Sequence, residues 1–529
     1  MFEALIQATA QPVQTETLSE VPERLTKYLP TEYNIADVFN GIVKLDDNGS
    51  FQYLRALQVC LSSSHLQNDI SDSPEAVKEI AVYVARNILP VAPDSEDASA
   101  EWQSIAIKGE VGLSILKVLC ELHKLVLDSK ALLAITAYSS TQDPWTLSTS
   151  AATAQSILEK QFSTKEEKAN FIISEVLTAF LRPLFSKSRP ATVTASGRKA
   201  EFVENVRFAG SFNDPSDSEL KPWKHAHIYA ISIFEWAVLQ ADQELLSKHW
   251  HLFTPVLLTL LDEPQTDIKV RAMHIFSAFW EHCPPGQMAK VGLEEVFEQA
   301  IFPAVLYLPT LTPEDESIQI LDAAYPSLFQ IAGLPYPEAR IGKSVKQPEF
   351  TSNQRKMLDK IIRQGLLVGY HHANEHIRLT ELFCKKTVAI VNGMGIFTVK
   401  HLKDIIPMIS GIMTEPFGTK YPPALLAANE LLQTIMRCCW PRISGYATEI
   451  VQMLTVCHLN IEDEDAFPSG SPSRQELKSA LSSTAEILAT ILRTGDNSLS
   501  EIISPLVEKE PLLKALFTPM KTRSADSQT

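Results

Sequence analysis

The stretch Pro255–Phe279, PVLLTLLDEPQTDIKVRAMHIFSAF, decides the fold that we predict for this chain. It opens with an apolar run from Pro255 to Asp262, and a short turn of residues 263–266 follows. The next segment carries four apolar residues at the spacing i, i+4, i+7, i+11: Ile268, Ala272, Ile275 and Phe279. This spacing places all four on one face of a helix. The stretch therefore predicts two helices joined by a tight turn.

Two further helical segments follow and repeat this arrangement. Their apolar residues also recur at helical spacing: Phe297, Ile301, Val305 and Leu308, then Ile318, Leu321, Tyr325 and Leu328. Pro309 and Pro313 mark the turn between them, and acidic residues 314–316 lie where the helix dipole favours negative charge. Successive pairs begin about 42–54 residues apart, close to the roughly 40–47-residue period of HEAT and armadillo repeats. The sequence therefore predicts an all-α fold, a HEAT/armadillo-like α-solenoid of antiparallel helix pairs.

Three residues of the first pair carry the usual marks of a HEAT repeat. They are Pro255 early in the first helix, Asp262 at its end and Arg271 early in the second. In such repeats the Asp and the Arg bond along the stack. Because the turn between them is expanded here, Asp267 is a candidate substitute for Asp262. We expect a structural role for Arg271 rather than a partner-binding one.

The composition is that of an ordinary soluble protein, with 529 residues, 45% hydrophobic and 21% charged. The formal net charge is -16, and the basic residues are scattered, without the basic stripe of a nucleic-acid-binding protein. Seven cysteines without a CxxC motif, most of them on apolar helical stripes, are typical of reduced thiols in an intracellular protein. We find no signal peptide and no apolar run near the roughly 18 residues of a membrane span.

Changes in composition predict how the chain is divided. We expect an N-terminal helical region over residues 1–186, an exposed connector over 187–221, a HEAT-like helical-repeat region over 222–518 and a disordered tail over 519–529. The connector is inferred because Pro, Ser, Gly, Asn and Asp gather there without a core pattern. An acidic loop at 460–473 interrupts the repeat region.

One motif indicates metal chemistry. His372, Glu375 and His376 match the H-x-x-E-H pattern, in which two His on one helical face bind zinc and the Glu activates water. Glu449 could supply a third ligand. However, Ala373–Asn374 inside the motif favours a turn between two helices. We therefore expect an exposed helix start there, and no catalytic, cofactor-binding or metal-binding residues.

Other polar clusters predict structural roles. The His pairs at 225/227 and 249/251 point to different sides of helices, since residues i and i+2 do not share a face. Cys438–Cys439 is predicted as a core pair, and Glu462–Asp465 as part of a solvated loop. No P-loop, G-x-S-x-G elbow, kinase motif set or Rossmann fingerprint occurs in the sequence.

Large aromatic residues at the predicted repeat turns are the candidates for partner binding. They are Trp280, Tyr307 and Tyr336. Aromatic residues are enriched among those that dominate binding energy at protein interfaces. The alternative for each is packing at the end of a helix.

One part of the chain resembles a known family. The run LTPEDES at 311–317 follows Phe302–Pro303 and Leu308–Pro309, and AYP follows it at 324–326. LTLLD at 258–262 and PWK at 222–224 agree with the same pattern. Over roughly residues 222–457 this combination resembles the Tti-two (Tti2) family, fungal branch. That family comprises the Tel2-interacting subunits of the Triple T (TTT) complex.

The resemblance implies a non-catalytic HEAT-like scaffold or adaptor. Such a subunit binds the Tti1 scaffold and the Tel2 subunit and acts as a co-chaperone, without a cofactor. It works indirectly with the ninety-kilodalton heat-shock chaperone and the R-two-TP assembly. The clients are phosphatidylinositol-kinase-related kinases (PIKKs), namely TOR, ATM/ATR-type kinases and the TRRAP pseudokinase, which links the family to DNA damage, growth control and chromatin. The resemblance further implies a cytoplasmic and nuclear location, with neither nucleic acid nor membrane as a partner.

Two other functions remain open from the residues themselves. The first is a zinc-dependent hydrolase built on residues 372–376, which elemental analysis would detect. The second is a karyopherin or armadillo-type cargo adaptor. That class often lines its groove with repeated Asn and Trp, whereas Asn429 is the only well-placed Asn here.

Overall fold

The computed structural model describes residues 1–9, 23–46, 50–67, 74–93, 98–188, 220–334, 350–463, 472–493 and 499–517. Within these ranges the chain is helical, and the single β pairing is an isolated bridge between Tyr33 and Leu66. The all-α prediction is therefore confirmed. Contacts group the chain into two compact units: Met1–Asp262 with Ala278–Leu293, and Glu263–Ser277 with Glu294–Thr529.

The first unit is built from helices of very different length. They are α1 (Glu3–Thr9), α2 (Glu23–Thr26), α3 (Ile35–Gly41), α4 (Phe51–Leu61), α5 (Pro74–Ile88), α6 (Ala98–His123), α7 (Ser129–Thr136), α8 (Ser148–Gln161), α9 (Lys165–Asn170), α10 (Arg182–Phe185), α11 (Pro222–His225), α12 (Ala230–Gln240) and α13 (Gln243–Asp262). A 3-10 turn lies at Val43–Leu45, and a π-helical segment, Phe171–Leu181, joins α9 to α10. Polar caps begin several of these helices, since Asn34 accepts a hydrogen bond from the Asp37 N–H and Asp128 accepts one from the Ala131 N–H.

The helix α14 (Thr266–His282) is divided between the units at residue 277, and α15 (Gln287–Lys290) follows it. The remaining helices are α16 (Leu293–Ile301), α17 (Glu314–Ile331), α18 (Ser352–Lys360), α19 (Val368–Ala373), α20 (Ile377–Met394), α21 (Leu402–Met413), α22 (Pro422–Cys438), α23 (Trp440–Ile443), α24 (Ala447–Glu462), α25 (Pro472–Arg493), α26 (Leu499–Lys509) and α27 (Lys514–Phe517). A π-helical segment, Ile361–Leu367, joins α18 to α19. The 3-10 turns of this part are Phe302–Leu306, Gly395–His401, Gly418–Lys420, Ser444–Tyr446 and Pro511–Leu513.

The predicted core of residues 255–331 is confirmed. Phe279, Phe297 and Leu321 are fully buried, and the Phe297 ring lies 5.0 Å from that of Phe276. Of the apolar residues predicted on these helical faces, Ile268 and Ile318 are half-buried and the others are buried. Helical spacing therefore identified the buried side of each segment.

The predicted helix start at Pro255 is wrong. α13 begins at Gln243, and Pro255 lies inside it. An interior Pro removes one backbone hydrogen bond and costs about 3 kcal/mol. Phe253, Val256 and Leu257 beside it are buried, and each buried side chain of this size contributes about 1.5–3 kcal/mol. Burial of the flanking residues therefore offsets the cost and keeps the segment helical.

In the second unit, alternate helices stack into two layers. One layer contains α17, α20, α22 and α25, each packed on the next, and α21 packs on α24 in the other. The contacts Glu314–His376 and Asp322–Lys386 join α17 to α20. The residue numbers of the partners increase together along both helices, so the two helices run in the same direction. This alternation is the arrangement of a helical solenoid.

Two predictions fall largely outside the described residues. The connector 187–221 is described only at 187–188 and 220–221, and the tail 519–529 not at all, so both remain predictions. The grouping by contacts divides the chain elsewhere, within α14.

Residues Ile377–Met413 are apolar and long enough to cross a membrane by length and composition alone, which the sequence reading did not anticipate. The stretch is not one α-helix, because α20 ends at Met394 and a 3-10 turn precedes α21. Gly395 at this junction has φ +58°, a conformation that side chains rarely adopt. The most apolar 18-residue window of this stretch is 56% buried within the protein, as in the core helix of a folded domain.

Candidate functional site

The seam between α17 and α20 carries a row of ion pairs at its surface. Three acidic residues of α17 each meet a basic residue of α20 or of the turn before it: Glu314 with His376 at 3.2 Å, Asp315 with Arg378 at 2.6 Å, and Asp322 with Lys386 at 2.6 Å. Exposed pairs of this kind add little to stability. Their effect is to fix the register of the two helices and to leave few unpaired charges on this seam.

The next seam, between α20 and α22, has one shared carboxylate. The Tyr421 hydroxyl donates to Glu381 Oε2 at 2.6 Å, and Lys385 Nζ lies 2.5 Å from Glu381 Oε1. Burial alone would raise the pKa of the Glu381 carboxyl, but the bonds from Lys385 and Tyr421 outweigh it and hold that pKa below its usual value. Glu381 therefore stays ionised and fixes the start of α22 to α20.

Between α22 and α25 lies a buried polar network. The Thr484 hydroxyl is 2.8 Å from Asn429 Oδ1 and 2.8 Å from the Ala480 carbonyl, and Gln433 Nε2 donates to the same hydroxyl at 2.9 Å. Asn429 is only 2% exposed. The hydroxyl bonds one end of its amide. The other end has no hydrogen-bond partner among the described residues.

That network forms the floor of a cleft of about 390 Å³ between α20, α22 and α25. It is lined by Glu381, Lys385, Pro423, Leu426, Ala427, Asn429, Glu430, Gln433, Glu476 and Ala480. Three carboxylates therefore face it, and the single ammonium, that of Lys385, is already bound to Glu381. The cleft thus combines negative charge, a short apolar wall and the amide of Asn429.

Apolar side chains stand out at the edge where the helices of this layer begin. Leu311, three residues before α17, is 92% exposed, and Phe417, in the turn before α22, is 75% exposed. Ile377, the first residue of α20, is also exposed. Exposed apolar residues near one another mark interaction surfaces more often than scattered ones do. We call Leu311, Ile377 and Phe417 the N-terminal edge of the layer.

Two of the three aromatic residues predicted to bind partners lie within the described residues. Trp280, near the end of α14, is half-buried and belongs to the first unit. Tyr307 is half-buried in the second unit, and Lys269 Nζ lies 5.5 Å from the centre of its ring. Tyr336 lies outside the described residues. A binding role for each of them remains a prediction.

The H-x-x-E-H motif does not lie on one helix. His372 is in the last turn of α19, Glu375 is in the turn that follows, and His376 directly precedes α20. His376 Nδ1 lies 3.2 Å from Glu314 Oε2, within the α17–α20 seam. In the part of the chain that the structure describes, no three His, Cys, Asp or Glu side chains are placed to hold a metal ion. The arrangement on which the zinc hypothesis depends is therefore missing from this motif.

The other polar clusters have structural contacts. His227 Nδ1 lies 3.0 Å from the Tyr229 hydroxyl. Cys438 and Cys439 are free thiols, and burial raises the pKa of both, that of Cys439 to about 12, so neither is a reactive thiolate at neutral pH. Glu462 bonds Lys478 at 2.6 Å, while residues 464–465 of the acidic run lie outside the described ranges.

The cleft is the feature that sequence reasoning missed. From the sequence, Asn429 stands out only as an isolated Asn in a helical segment, with no ladder of similar residues. Glu381, Glu430 and Glu476 come from three helices, and their meeting depends on how α20, α22 and α25 stack. A polar residue on the otherwise apolar face of α22 was the one available signal.

The chain is similar to one family of known proteins over part of its length. The model of the Tti2 family matches residues 131–420, which is more than half of the chain. TELO2-interacting protein 2 of Homo sapiens is 27% identical over 250 residues, which cover 47% of this chain and 45% of the human protein. The protein of the same name from Rattus norvegicus is 26% identical over 212 residues, 40% of this chain and 38% of the relative. That from Mus musculus is 25% identical over 248 residues, 46% and 44%.

These matches cover the N-terminal edge and the cleft unequally. The alignments span less than half the length of each of these relatives. The family match includes α17 and α20, and with them all three residues of the N-terminal edge. It ends at residue 420, before α22 and α25. Most of the cleft therefore lies beyond the matched residues.

Proposed function

Since this chain belongs to the Tti2 family, we propose that it is a non-enzymatic adaptor subunit of a TTT-type co-chaperone complex. Its partners in this proposal are a Tel2 subunit and a Tti1 scaffold. The name of the mammalian relatives, TELO2-interacting protein 2, states an interaction with TELO2, which supports the first of these. The Tti1 partnership rests on the family resemblance of the sequence.

The observation that carries the proposal is the layer of α17, α20, α22 and α25. Stacked helices bury a continuous core and leave one long face and one edge for docking. Here the edge exposes the apolar side chains of Leu311, Ile377 and Phe417 to solvent. An apolar edge beside a polar helical face matches the composition of protein-binding surfaces, with an apolar centre and a polar rim.

The proposal extends to the role of the assembled complex. The clients would be PIKKs such as TOR, ATM/ATR-type kinases and TRRAP, reached through the heat-shock chaperone and the R-two-TP assembly. The chain would act in both cytoplasm and nucleus, where those clients work. These parts follow from the family alone, and client levels after depletion of the chain would test them.

Co-expression of the full chain with Tel2 and Tti1 subunits tests the adaptor role directly. We expect the wild-type chain to co-purify with both. The double variant Leu311→Ser with Phe417→Ser should lose most of that recovery while its melting temperature stays unchanged, because both side chains are exposed. Val126→Ser is the matched control, since Val126 is 79% exposed but lies in the first unit.

Two results would contradict the proposal. Failure of the wild-type chain to bind either subunit would remove the adaptor role. Equal loss of recovery in the edge variant and in Val126→Ser would remove the N-terminal edge as the docking surface.

A further inference from the structure

The short helix α23, which follows α22, holds a tryptophan in solvent. Cys439 before this helix and Ile443 at its end are fully buried, whereas Trp440 is 56% exposed. The Arg442 N–H donates to the Cys439 carbonyl at 2.9 Å, and Pro441 has the fixed φ angle that suits the start of a helix. The buried residues at both ends therefore anchor α23, and the fold itself keeps the indole exposed.

Two arginines flank this tryptophan in the sequence. Arg437 lies in the last turn of α22 and Arg442 lies within α23, and both are exposed. Arg437 donates to the side-chain carbonyl of Gln433 at 2.7 Å, and neither guanidinium has a carboxylate partner among the described residues. No Asp or Glu occurs from residue 431 to residue 448. This stretch is therefore locally basic, on a chain whose net charge is -16.

The residue types of this surface indicate what would cover it. Trp and Arg are enriched among the residues that dominate binding energy at protein interfaces. A guanidinium can bind a carboxylate through two N–H groups at once, and an indole offers a large apolar face. The surface thus matches a ligand that combines carboxylates with an apolar side chain. A nucleic acid is less favoured, because two arginines on an acidic chain do not make a basic stripe.

We propose that Arg437, Trp440 and Arg442 form a second docking surface, the basic edge, which binds an acidic segment of a partner protein. Phe417 of the N-terminal edge precedes α22, whereas Trp440 follows it. The 17 residues of α22 span about 25 Å, so the two edges are far enough apart to hold separate partners. The basic edge also lies beyond residue 420, where the family match ends, and its chemistry does not depend on the Tel2 and Tti1 partnerships.

Fluorescence anisotropy on the full chain tests the basic edge, with the labelled peptide Gly-Asp-Glu-Leu-Phe-Asp-Glu-Gly as the probe. We expect this peptide to bind, and its counterpart with Asn and Gln in place of Asp and Glu to bind about tenfold more weakly or less, because it lacks carboxylates. Arg437→Gln with Arg442→Gln should weaken the acidic peptide to a similar extent. Trp440→Ala should weaken it about threefold or more without a change in charge, since the apolar contact is lost. Melting temperatures should stay close to that of the wild-type chain, because all three positions are exposed.

Two matched controls separate this surface from the rest of the chain. Arg86→Gln with Arg182→Gln removes the same charge from exposed positions in the first unit. Leu306→Ala removes an apolar side chain of similar exposure, 53%, from a turn outside the basic edge. Neither control should weaken the peptide measurably. The double variant of the N-terminal edge should also bind the peptide as the wild-type chain does, because that edge lies at the other end of α22.

Three outcomes would overturn the inference. Absence of peptide binding by the wild-type chain would remove the docking surface. Equal weakening in the two double Arg variants would show that only the overall charge of the chain attracts the peptide. Tighter binding of a labelled ten-residue oligothymidylate, lost in the same Arg and Trp variants, would make the surface a nucleic-acid site. Because no Tel2 or Tti1 subunit is present, none of these outcomes depends on the adaptor role, which the co-expression experiment tests separately.

Discussion

The α17–α20 seam and the cleft between α20, α22 and α25 belong to one layer of helices but differ in how their charges are paired. In the seam, Glu314, Asp315 and Asp322 each meet a basic residue of the same chain. In the cleft, Glu430 and Glu476 have no such partners among the described residues. The same kind of helix packing thus produces one surface whose charges are paired within the chain and another whose carboxylates are not.

This contrast indicates which surfaces of a repeat protein are candidates for function. Every helix pair must bury an apolar face to be stable, so the core says little about partners. Charges on the surface are more informative, because the fold does not require them to stay unpaired. In this layer the two surfaces differ in that respect, since Glu430 and Glu476 of the cleft have no basic partner among the described residues, whereas the acidic residues of the seam do. The predictions below test that distinction, beginning with the core on which both surfaces depend.

The largest effect is expected from the core beneath both surfaces. Leu321 of α17 is fully buried, so Leu321→Ala should lower the free energy of unfolding by about 2–5 kcal/mol through lost burial and a residual cavity. Urea denaturation followed by circular dichroism measures this. Leu311→Ala, at a 92% exposed position before the same helix, is the control and should leave stability unchanged. Equal stabilities for the two variants would contradict the assigned core of α17.

A smaller loss is expected from the floor of the cleft. Thr484→Val keeps the shape of the side chain but removes the hydroxyl that joins Asn429 and Gln433, so it should destabilise by about 1–3 kcal/mol. Thr490→Val on the exposed side of α25 removes a hydroxyl that bonds only its own helix, and it should have little effect. Unfolding curves of both variants test this pair. If Thr484→Val were neutral, the network would not be structurally coupled as described.

The core of these helices was predictable from sequence, and the surfaces were not. The spacing of Phe297 and Leu321 along the chain determines which face of a helix is apolar, and the structure buries both. The helix start at Pro255 was misplaced because local Pro signals were outweighed by burial of the residues around it. The cleft required knowledge that Glu430 and Glu476, 46 positions apart, meet across stacked helices. Sequence spacing carries no such information without the packing of the layer.

A modest pH effect should arise from a second buried polar group, His401, at the start of α21. It is fully buried, and its Nε2 lies 2.9 Å from Asp359 Oδ1. Burial lowers its pKa, although Asp359 opposes this, while Lys400 and Arg363 act in the same direction as burial. The unfolded chain therefore binds a proton more readily below about pH 6.5, the ordinary value for His. The contribution of His401 to the free energy of unfolding is complete above that pH and is lost as the pH falls towards the lowered pKa.

Melting temperatures at pH 7.5 and 5.5 measure this contribution. The wild-type chain should melt at a lower temperature at pH 5.5, and His401→Gln should reduce the difference, since Gln can still bond Asp359 but does not titrate in this range. Part of the difference should remain in this variant, because burial also lowers the pKa of His458. An unchanged difference in His401→Gln would show that other groups control the acid response.

The smallest effects separate the seam from the cleft most directly. Asp315→Asn removes one partner of an exposed ion pair with Arg378, so stability should fall slightly or not at all. Glu430→Gln removes a carboxylate that faces other carboxylates without a counterion, so stability should stay constant or rise slightly. The two changes in melting temperature should diverge most at 0.01 M salt, where the Debye length is about 30 Å and charges interact over long distances. They should converge at 1 M salt, where the Debye length is about 3 Å. If both variants shift in the same direction at low salt, the charges of the cleft are paired after all, and the difference between the two surfaces disappears.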